Sequence, residues 1–152
     1  MKYPKPFKYN VINKHKYIGD VNNVVGRSML EKKYMLQLDT NPQIKFWNSE
    51  EISIPYYITI QRPDGKYELL DNKPHRYFLD FYVETIQGNK FLVEVKPYSQ
   101  THKPRNSAKK NSKTLLNEHL VFAKNDSKWR AAKRYAEENH MSFIILTERD
   151  IK

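Results

Sequence analysis

Three charged residues interrupt the most apolar segments of the chain, and they constrain its fold more than any other feature. Asp80 lies within the run Tyr77–Val83, and Glu94 and Lys96 lie within the run Phe91–Pro97. Both runs are dense in β-branched and aromatic residues, which predicts β-strands. A charge in an apolar strand costs free energy unless it is paired, solvated or bound to a metal. We therefore treat these three residues as candidates for a functional site.

The register of the hairpin between these runs decides whether the three charges meet. Glu94 and Lys96 are two residues apart, so they lie on one face of their strand. A two-residue loop would place Glu84 on the apolar face, whereas a three-residue loop at 87–89 collects the apolar residues on one buried face. In that register Asp80 lies across from Lys96. The hydrophobic pattern favours the three-residue loop, although a β-bulge would give the same clustering.

Two carboxylates and one ammonium group on a common face suit metal-assisted hydrolysis of a phosphodiester. Mg²⁺ prefers oxygen ligands and keeps several of its waters, and Mn²⁺ is an alternative ion. Such a metal polarises the phosphate and lowers the pKa of a bound water, while a lysine orients that water or stabilises charge on the phosphate. The motif E-x-K is by itself more typical of a solvent-facing ion pair, and that alternative stays open at the level of spacing.

The charge balance of the chain predicts a polyanionic partner. Among 152 residues there are 27 Lys and Arg against 17 Asp and Glu, a net charge of +10, which points to nucleic acid. The four glycines lie far apart, so no phosphate-binding loop can be built and we expect no nucleotide cofactor. The chain has no cysteine, which excludes cysteine-ligated zinc and thiol catalysis. No run approaches the about 20 apolar residues of a membrane span, so we expect no membrane partner.

Much of the positive charge lies in two segments. Residues 1–19 carry five lysines and no acid, and two prolines argue against a helix there. We interpret this segment as an extended basic arm that precedes a single domain at 20–152. A second acid-free segment begins at the proposed catalytic lysine, and it is predicted to lie along the DNA backbone and bind phosphates without reading sequence. Its basic residues beyond Lys96 are Lys103, Arg105, Lys109, Lys110 and Lys113.

Periodicity predicts helices on both sides of a group of strands. Ser28 and Glu31 have the spacing of a capping box and predict the start of the first helix. Ser127 has the character of an N-cap for the last helix. The order of elements predicts an α/β domain with a mixed sheet flanked by helices. The predicted helices span 29–39, 113–124 and 127–139, and the predicted strands lie within 44–58, 76–86, 90–96 and 142–146.

Taken in order, the motifs of the chain resemble those of a known nuclease family. They are Tyr17-Ile18-Gly19-Asp20, Arg27-Ser28-x-x-Glu31, Trp47-x-Ser49-Glu50-Glu51 with Ile54-Pro55-Tyr56, His75-Arg76-Tyr77-x-x-Asp80-Phe81, and Leu92-Val93-Glu94-Val95-Lys96-Pro97-x-x-Gln100. The series is similar to that of the head-completion nucleases of contractile-tailed bacteriophages, which belong to the PD-(D/E)XK superfamily. It also resembles, more distantly, the TnsA-like endonucleases of transposition.

The resemblance implies a restriction-endonuclease-like core and a metal-dependent deoxyribonuclease. It implies that Asp80, Glu94 and Lys96 are catalytic, and that Glu31 joins them from the first helix to complete the metal site. It also implies double-stranded DNA as substrate, head, portal or tail-joining proteins as partners, and a location in the host cytoplasm or in the virion. Two alternatives stay open, namely a transposon-end or junction-resolving endonuclease and a non-catalytic DNA-binding or structural head–tail protein.

Three residues have competing interpretations at this stage, and a fourth has a single one. Glu31 either caps its own helix or joins the acidic site. Arg76 either binds a DNA phosphate or forms a surface ion pair, and Gln100 either contacts the substrate or lies in an ordinary loop. Lys128 is predicted at the start of a helix, where a cation is unfavourable with respect to the helix dipole, which makes it a candidate phosphate contact.

Overall fold

A computed structural model describes residues 5–104 and 110–152 of the protein. Short 3₁₀ helices lie at Lys14–Lys16 and Tyr98–Gln100. In chain order the other described elements are β1 (Phe7–Lys8), β2 (Val25–Gly26), α1 (Met29–Thr40), β3 (Ile44–Ser49), β4 (Ser53–Tyr56), β5 (Thr59–Gln61), β6 (Tyr67–Leu69), β7 (His75–Phe78), β8 (Phe81–Thr85), β9 (Lys90–Val95), α2 (Ser112–Glu138) and β10 (Ser142–Leu146).

The central sheet is mixed, as the order of predicted elements suggested. Its strands are arranged β10-β9-β8-β3, with β9 and β10 parallel and the other neighbours antiparallel. The parallel pair is joined through α2, because parallel neighbours need a long crossover. The α/β class and the restriction-endonuclease-like architecture are therefore confirmed.

Alternation along β8 and β9 divides the apolar residues between the two faces of the sheet. Phe81 and Val93 are fully buried on the face that packs against α1. Leu92, on the other face, is fully buried against α2 together with Ala132 and Ala136. The sheet is therefore covered by a helix on each side.

The predicted register of the β8–β9 hairpin is wrong by two residues. Phe81 pairs with Val93 rather than with Val95, and the three-residue loop is 86–88, with Gly88 in the left-handed region at φ 89°. Because the displacement is even, every side chain keeps its predicted face. Continuing the pairing by one position places Asp80 across from Glu94, where Lys96 was predicted.

The run predicted as one strand over 76–86 is in fact two strands. β7 pairs with β4, whereas β8 pairs with β3 and β9, and the chain changes sheets at Leu79 and Asp80. Leu79 is buried and anchors the crossing. Asp80 therefore lies just before β8, at the border of the central sheet that is formed by strand ends.

The two C-terminal helices predicted from sequence are a single helix, α2. Ser127 is not an N-cap but a buried residue in mid-helix, and its Oγ donates to the carbonyl of Ala123 (2.7 Å) and accepts the backbone N–H of Thr59 (3.0 Å). These hydrogen bonds satisfy the hydroxyl group of Ser127. Without such partners a serine favours the N-cap of a helix. In the described part of the chain, no helix has the length and apolarity needed to cross a membrane.

The described residues of the N-terminal arm pack onto α1 through a buried carboxylate. Asp39, fully buried near the end of α1, accepts the hydroxyl of Tyr9 (2.8 Å) and the backbone N–H groups of Ile12 (2.7 Å) and Asn13 (2.9 Å). Lys16 is buried as well, and its Nζ donates to the carbonyl of Asp39 (3.1 Å), so burial lowers the pKa of this lysine. The predicted division at residue 19 stays a prediction, but at least part of this segment belongs to the core.

Candidate active site

The strand ends that carry the candidate residues meet along one border of the central sheet. This border is formed by the ends of the strands, not by an outer strand, and we call it the sheet edge. Asp80 precedes β8, Glu94 and Lys96 lie at the end of β9, and Glu50 follows the end of β3. The start of β8 lies beside the ends of β3 and β9 because it is antiparallel to both. This edge is also the carboxyl end of the parallel pair, which is where α/β sheets commonly bind ligands.

Asp80 is fixed in place by the backbone of the strands on either side. Its Oδ2 accepts the N–H of Val95 (2.9 Å), and its carbonyl accepts the N–H of Glu50 (3.2 Å). Burial raises the pKa of Asp80 well above its ordinary value, and the neighbouring charges of Glu94 and Glu31 raise it further. A cation would relieve this repulsion between carboxylates.

Glu94 is buried, and a tyrosine on β7 orients it. β7 pairs with β4 in a two-stranded ribbon beside the central sheet. The hydroxyl of Tyr77 donates to Glu94 Oε2, and Lys96 Nζ lies 3.7 Å from Glu94 Oε1. The side chains of Glu94 and Lys96 are 6% and 26% exposed, so the lysine is partly accessible to solvent and the glutamate is buried. The pattern of the sequence did not identify Tyr77, because its partner is 17 residues away on another strand.

Glu31 supports the start of α1 and also lies near other carboxylates, while its part in a metal site stays a prediction. Ser28 Oγ accepts the N–H of Glu31 (3.1 Å), as expected of an N-cap, and Glu31 Oε2 accepts the N–H of Arg27 (3.0 Å). Burial raises the pKa of Glu31, and the nearby charges of Glu50 and Glu94 contribute. One carboxylate oxygen thus supports the start of α1 while the group as a whole faces the acidic site.

An ion pair between Arg27 and Glu50 borders the site and was not predicted. Arg27 Nε and Nη2 donate to the two carboxylate oxygens of Glu50, at 2.6 and 3.2 Å. The backbone of Glu50 is in the left-handed region, at φ 56°, which is unusual for a residue with a side chain. The nearby charge of Asp80 also helps to raise the pKa of Arg27, after the larger effect of Glu50.

Lys128 lies beside the acidic residues, but not for the reason that the sequence suggested. It is in the middle of α2 rather than at a helix start, and its Nζ lies 5.4 Å from the ring centre of Tyr77. Burial and the charges of Lys124 and Lys96 lower the pKa of Lys128, and the charges of Glu94 and Asp80 oppose this effect. The helix-dipole explanation is wrong, whereas its tertiary position keeps Lys128 a candidate phosphate contact.

The other predicted DNA contacts differ in their surroundings. Arg76 is exposed on β7, and its Nη1 donates to Ser53 Oγ (3.3 Å) rather than to an acidic residue. Lys110 Nζ forms an ion pair with Glu118 (2.8 Å). Gln100, Lys103 and Lys113 are exposed, and Arg105 and Lys109 lie outside the described residues.

The donor set fits a magnesium ion held mainly by water. Within 5–104 and 110–152, no group of three or more histidines or carboxylates is arranged to hold a metal ion. Mg²⁺ does not require such a group, because it commonly binds one or two carboxylates and retains several waters. In the described residues, Asp80 Oδ1 has no hydrogen-bond partner within the protein, while Oδ2 is fixed by Val95. The mutual repulsion of the carboxylates gives a divalent cation a further electrostatic preference for this site.

A separate group of contacts joins two of the sequence motifs beside the site. Glu51 Oε1 accepts the hydroxyl of Tyr17 (3.1 Å) and the N–H of Asp20 (3.0 Å), and Tyr17 packs edge-on against Trp47. Gly19 has φ +139°, and a Cβ there would lie 2.5 Å from Glu51 Oε1. The backbone conformation favours glycine here, and a Cβ would also displace the Glu51 side chain from its hydrogen bonds.

Comparison with known proteins identifies the family of the chain. The model of the TnsA-like endonuclease N-terminal family matches residues 41–148, a range that contains Asp80, Glu94 and Lys96. The chain is also 34% identical over 139 residues to the head completion nuclease of Enterobacteria phage T4, an alignment that covers 90% of this chain and 86% of that protein. The resemblance drawn from the motifs is thereby confirmed. The chain belongs to the TnsA-like endonuclease family.

Proposed function

We propose that this protein is a magnesium-dependent deoxyribonuclease that acts in the completion of phage heads. The observation that carries the proposal is the position of Asp80 opposite the buried Glu94 at the sheet edge, with Lys96 beside them. This is the donor set that phosphodiester hydrolysis needs, on a chain related to a protein named for head completion.

Asp80 and Glu94 would hold the metal, and Glu31 would add negative charge beside it. Bound Mg²⁺, or Mn²⁺ in its place, supplies a Lewis acid and lowers the pKa of a bound water. Tyr77 keeps one oxygen of Glu94 occupied and so orients the carboxylate. The backbone N–H of Val95 does the same for Asp80.

Lys96 would act on the phosphate or on the attacking water. Its Nζ is 3.7 Å from Glu94 Oε1, which is close enough for electrostatic attraction but beyond ordinary hydrogen-bond distance. The lysine side chain is partly exposed, and its ammonium group is therefore able to donate to an incoming oxygen. Lys128, from α2, would add a second positive charge for the phosphate.

Double-stranded DNA would lie across the sheet edge and follow the basic segment that leaves Lys96. In the part of the chain that the structure describes, Gln100, Lys103 and Lys113 are exposed to such a partner, and Arg76 is exposed on the neighbouring ribbon. Lys110 would contribute together with Arg105 and Lys109. Contacts of this type bind phosphates and give affinity that falls with salt.

By analogy with its relative, the enzyme would cut or trim packaged DNA so that a filled head can accept its tail. Its partners would then be the head or portal and the tail-joining proteins. Such a protein would act in the host cytoplasm and would be able to remain with the virion.

A plasmid assay tests the nuclease proposal. The purified protein is expected to nick or degrade plasmid DNA with Mg²⁺ and not in a chelator. Asp80→Asn and Glu94→Gln should each abolish cleavage, whereas Asp126→Asn, which alters a carboxylate paired with Arg130 on α2, should leave it unchanged. Full activity of both site variants would contradict the catalytic assignment.

Two alternatives remain as outcomes of further assays. Cleavage of branched DNA without action on linear duplex would favour a junction-resolving or transposon-end endonuclease. An inactive protein that still binds DNA or capsids would favour a structural role. The family match to TnsA-like endonucleases supports the first alternative, and the presence of both carboxylates with Lys96 argues against the second.

A further inference from the structure

A cavity of about 290 Å³ opens beside the acidic residues, and neither the catalytic assignment nor the predicted DNA contacts use it. It is lined by Arg27, Glu50 and Phe78. Glu50 is hydrogen-bonded through its N–H to the carbonyl of Asp80, so the cavity adjoins the proposed scissile position. Its volume is at the lower end of the range for small-ligand sites, about 300 Å³ and above, which suits a single base rather than a duplex.

The aromatic side chain in this cavity is exposed although its two neighbours along the chain are buried. Phe78 is 55% exposed, whereas Tyr77 and Leu79 are 4% and 1% exposed. Alternation along the strand fixes its outward direction, because inward positions are occupied by the core. The ring therefore presents apolar surface to solvent within the site.

Two arginines lie near this ring. Arg76 is two residues before Phe78 and so shares its outward face, and Arg27 lines the cavity together with Glu50, to which it is ion-paired. Both guanidinium groups keep free donors: Arg27 uses Nε and Nη2 on Glu50, and Arg76 uses Nη1 on Ser53. An aromatic ring with arginines nearby, beside a nuclease site, has the composition of a site for single-stranded nucleic acid.

We propose that this cavity binds an unpaired nucleotide of the DNA substrate, with its base stacked on Phe78 and its phosphate contacted by Arg27 or Arg76. The cavity has room for one base but not for a base pair, so the site selects DNA ends that are frayed, overhanging or single-stranded over intact duplex. The inference rests on the proposed nuclease function and names the class of substrate. Stacking tolerates every base, so it adds structural preference without sequence preference.

The test measures binding without cleavage. One fluorescein-labelled oligonucleotide is used in three forms, namely single-stranded, as a blunt duplex and as a duplex with an overhang, and anisotropy is recorded in a chelator. The protein is expected to bind the single-stranded and overhanging forms more tightly than the blunt duplex. Phe78→Ala should weaken binding of those two forms by about 5- to 150-fold, the loss of one stacked base, and leave the blunt duplex unchanged.

Two further variants separate stacking from general effects. Phe78→Trp should keep the preference, because it retains a π-face. Tyr57→Ala removes another exposed aromatic residue, 48% exposed on a connecting segment, and should change nothing. Thermal unfolding of each variant verifies that the exposed positions leave the fold intact.

Equal affinity of the unaltered protein for blunt and unpaired DNA would overturn the inference, and so would a full preference in Phe78→Ala. Because the assay contains no divalent ion, it is independent of catalysis. A protein that shows the preference but never cleaves DNA with Mg²⁺ refutes the nuclease proposal and supports this site. A protein that cleaves DNA without the preference does the opposite.

Discussion

Replacing Tyr77 with phenylalanine removes one hydroxyl group from the centre of the site and changes little else. The residue is 4% exposed, and its hydroxyl donates to Glu94 Oε2. The other oxygen of Glu94 is 3.7 Å from Lys96 Nζ, so in the described residues the tyrosine provides the directional hydrogen bond to this carboxylate. The phenylalanine ring fills the same space, and no large cavity is created.

The expected loss of stability follows from these contacts. A hydrogen bond to a charged group contributes about 1.5–3 kcal/mol, and an unsatisfied buried carboxylate incurs its full desolvation cost. We expect Tyr77→Phe to lower the free energy of unfolding by about 2 kcal/mol. For a chain of this length, that corresponds to a fall in Tm of about 4–8 °C.

The functional effect should be larger than a loss of folded protein would explain. Removal of a group that orients a metal ligand typically costs about 10- to 100-fold in metal affinity or activity. We therefore expect Tyr77→Phe to reduce plasmid cleavage by that factor at low Mg²⁺ and to recover partly at high Mg²⁺. Urea unfolding and a Mg²⁺ titration of cleavage measure the two effects on the same preparation.

A double-mutant cycle decides whether the hydroxyl acts through Glu94. In a Glu94→Gln background the partner is neutral, and the cost of Tyr77→Phe should fall to about 0.5–1.5 kcal/mol. Tyr57→Phe, at an exposed position, should stay within about 0.5 kcal/mol of the unaltered protein. An equal cost of Tyr77→Phe in both backgrounds, or a cost below about 0.5 kcal/mol in the first, would refute the reasoning.

Three further predictions concern carboxylates and a lysine. The raised pKa of Asp80 means that its contribution to stability is present at low pH and is lost as the pH rises through the folded-state pKa. Asp80→Asn should therefore unfold at a higher temperature than the unaltered protein at neutral pH in a chelator, with the difference vanishing in acid; a lower Tm at neutral pH would contradict this. Asp39→Ala leaves three donors unpaired and should cost about 3–5 kcal/mol in urea unfolding, against about 1 kcal/mol or less for the surface control Asp126→Ala. Lys128→Met should weaken DNA binding uniformly across sequences and reduce the salt dependence by about one phosphate contact, whereas an unchanged salt slope, or an equal effect of Lys124→Met one turn earlier, would argue against a specific contact.

Local signals in the sequence identified the elements that local interactions control. Ser28 caps α1 as its spacing with Glu31 indicated, because the cap depends on residues within one turn. The faces of the two hairpin strands were also correct: alternation has a period of two, so Glu94 and Lys96 share a face whatever the register. The E-x-K spacing and Asp80 led to the site through the cost of placing charge in an apolar strand.

Errors arose where a distant partner decided the outcome. The hairpin register is displaced by two residues, a change that the hydrophobic pattern cannot detect because it preserves both faces. Ser127 lies inside a long helix since the backbone of Thr59 satisfies it from 68 residues away. Lys128 lies beside the site because it is in the interior of this same continuous helix. No helix starts there, contrary to what the sequence had suggested.

The sequence by itself determined the α/β class, the first helix, the strand faces and the residues that carry the proposed chemistry, because these depend on periodicity, caps and charge. Only the tertiary structure decided what surrounds those residues. Tyr77 on Glu94 and the exposed ring of Phe78 depend on the chain changing sheets at Asp80, and the pairing of Arg27 with Glu50 joins segments 23 residues apart, so no local pattern encodes them. Contacts between residues far apart in the chain arise from packing against a shared core. They can therefore be identified only from the assembled structure.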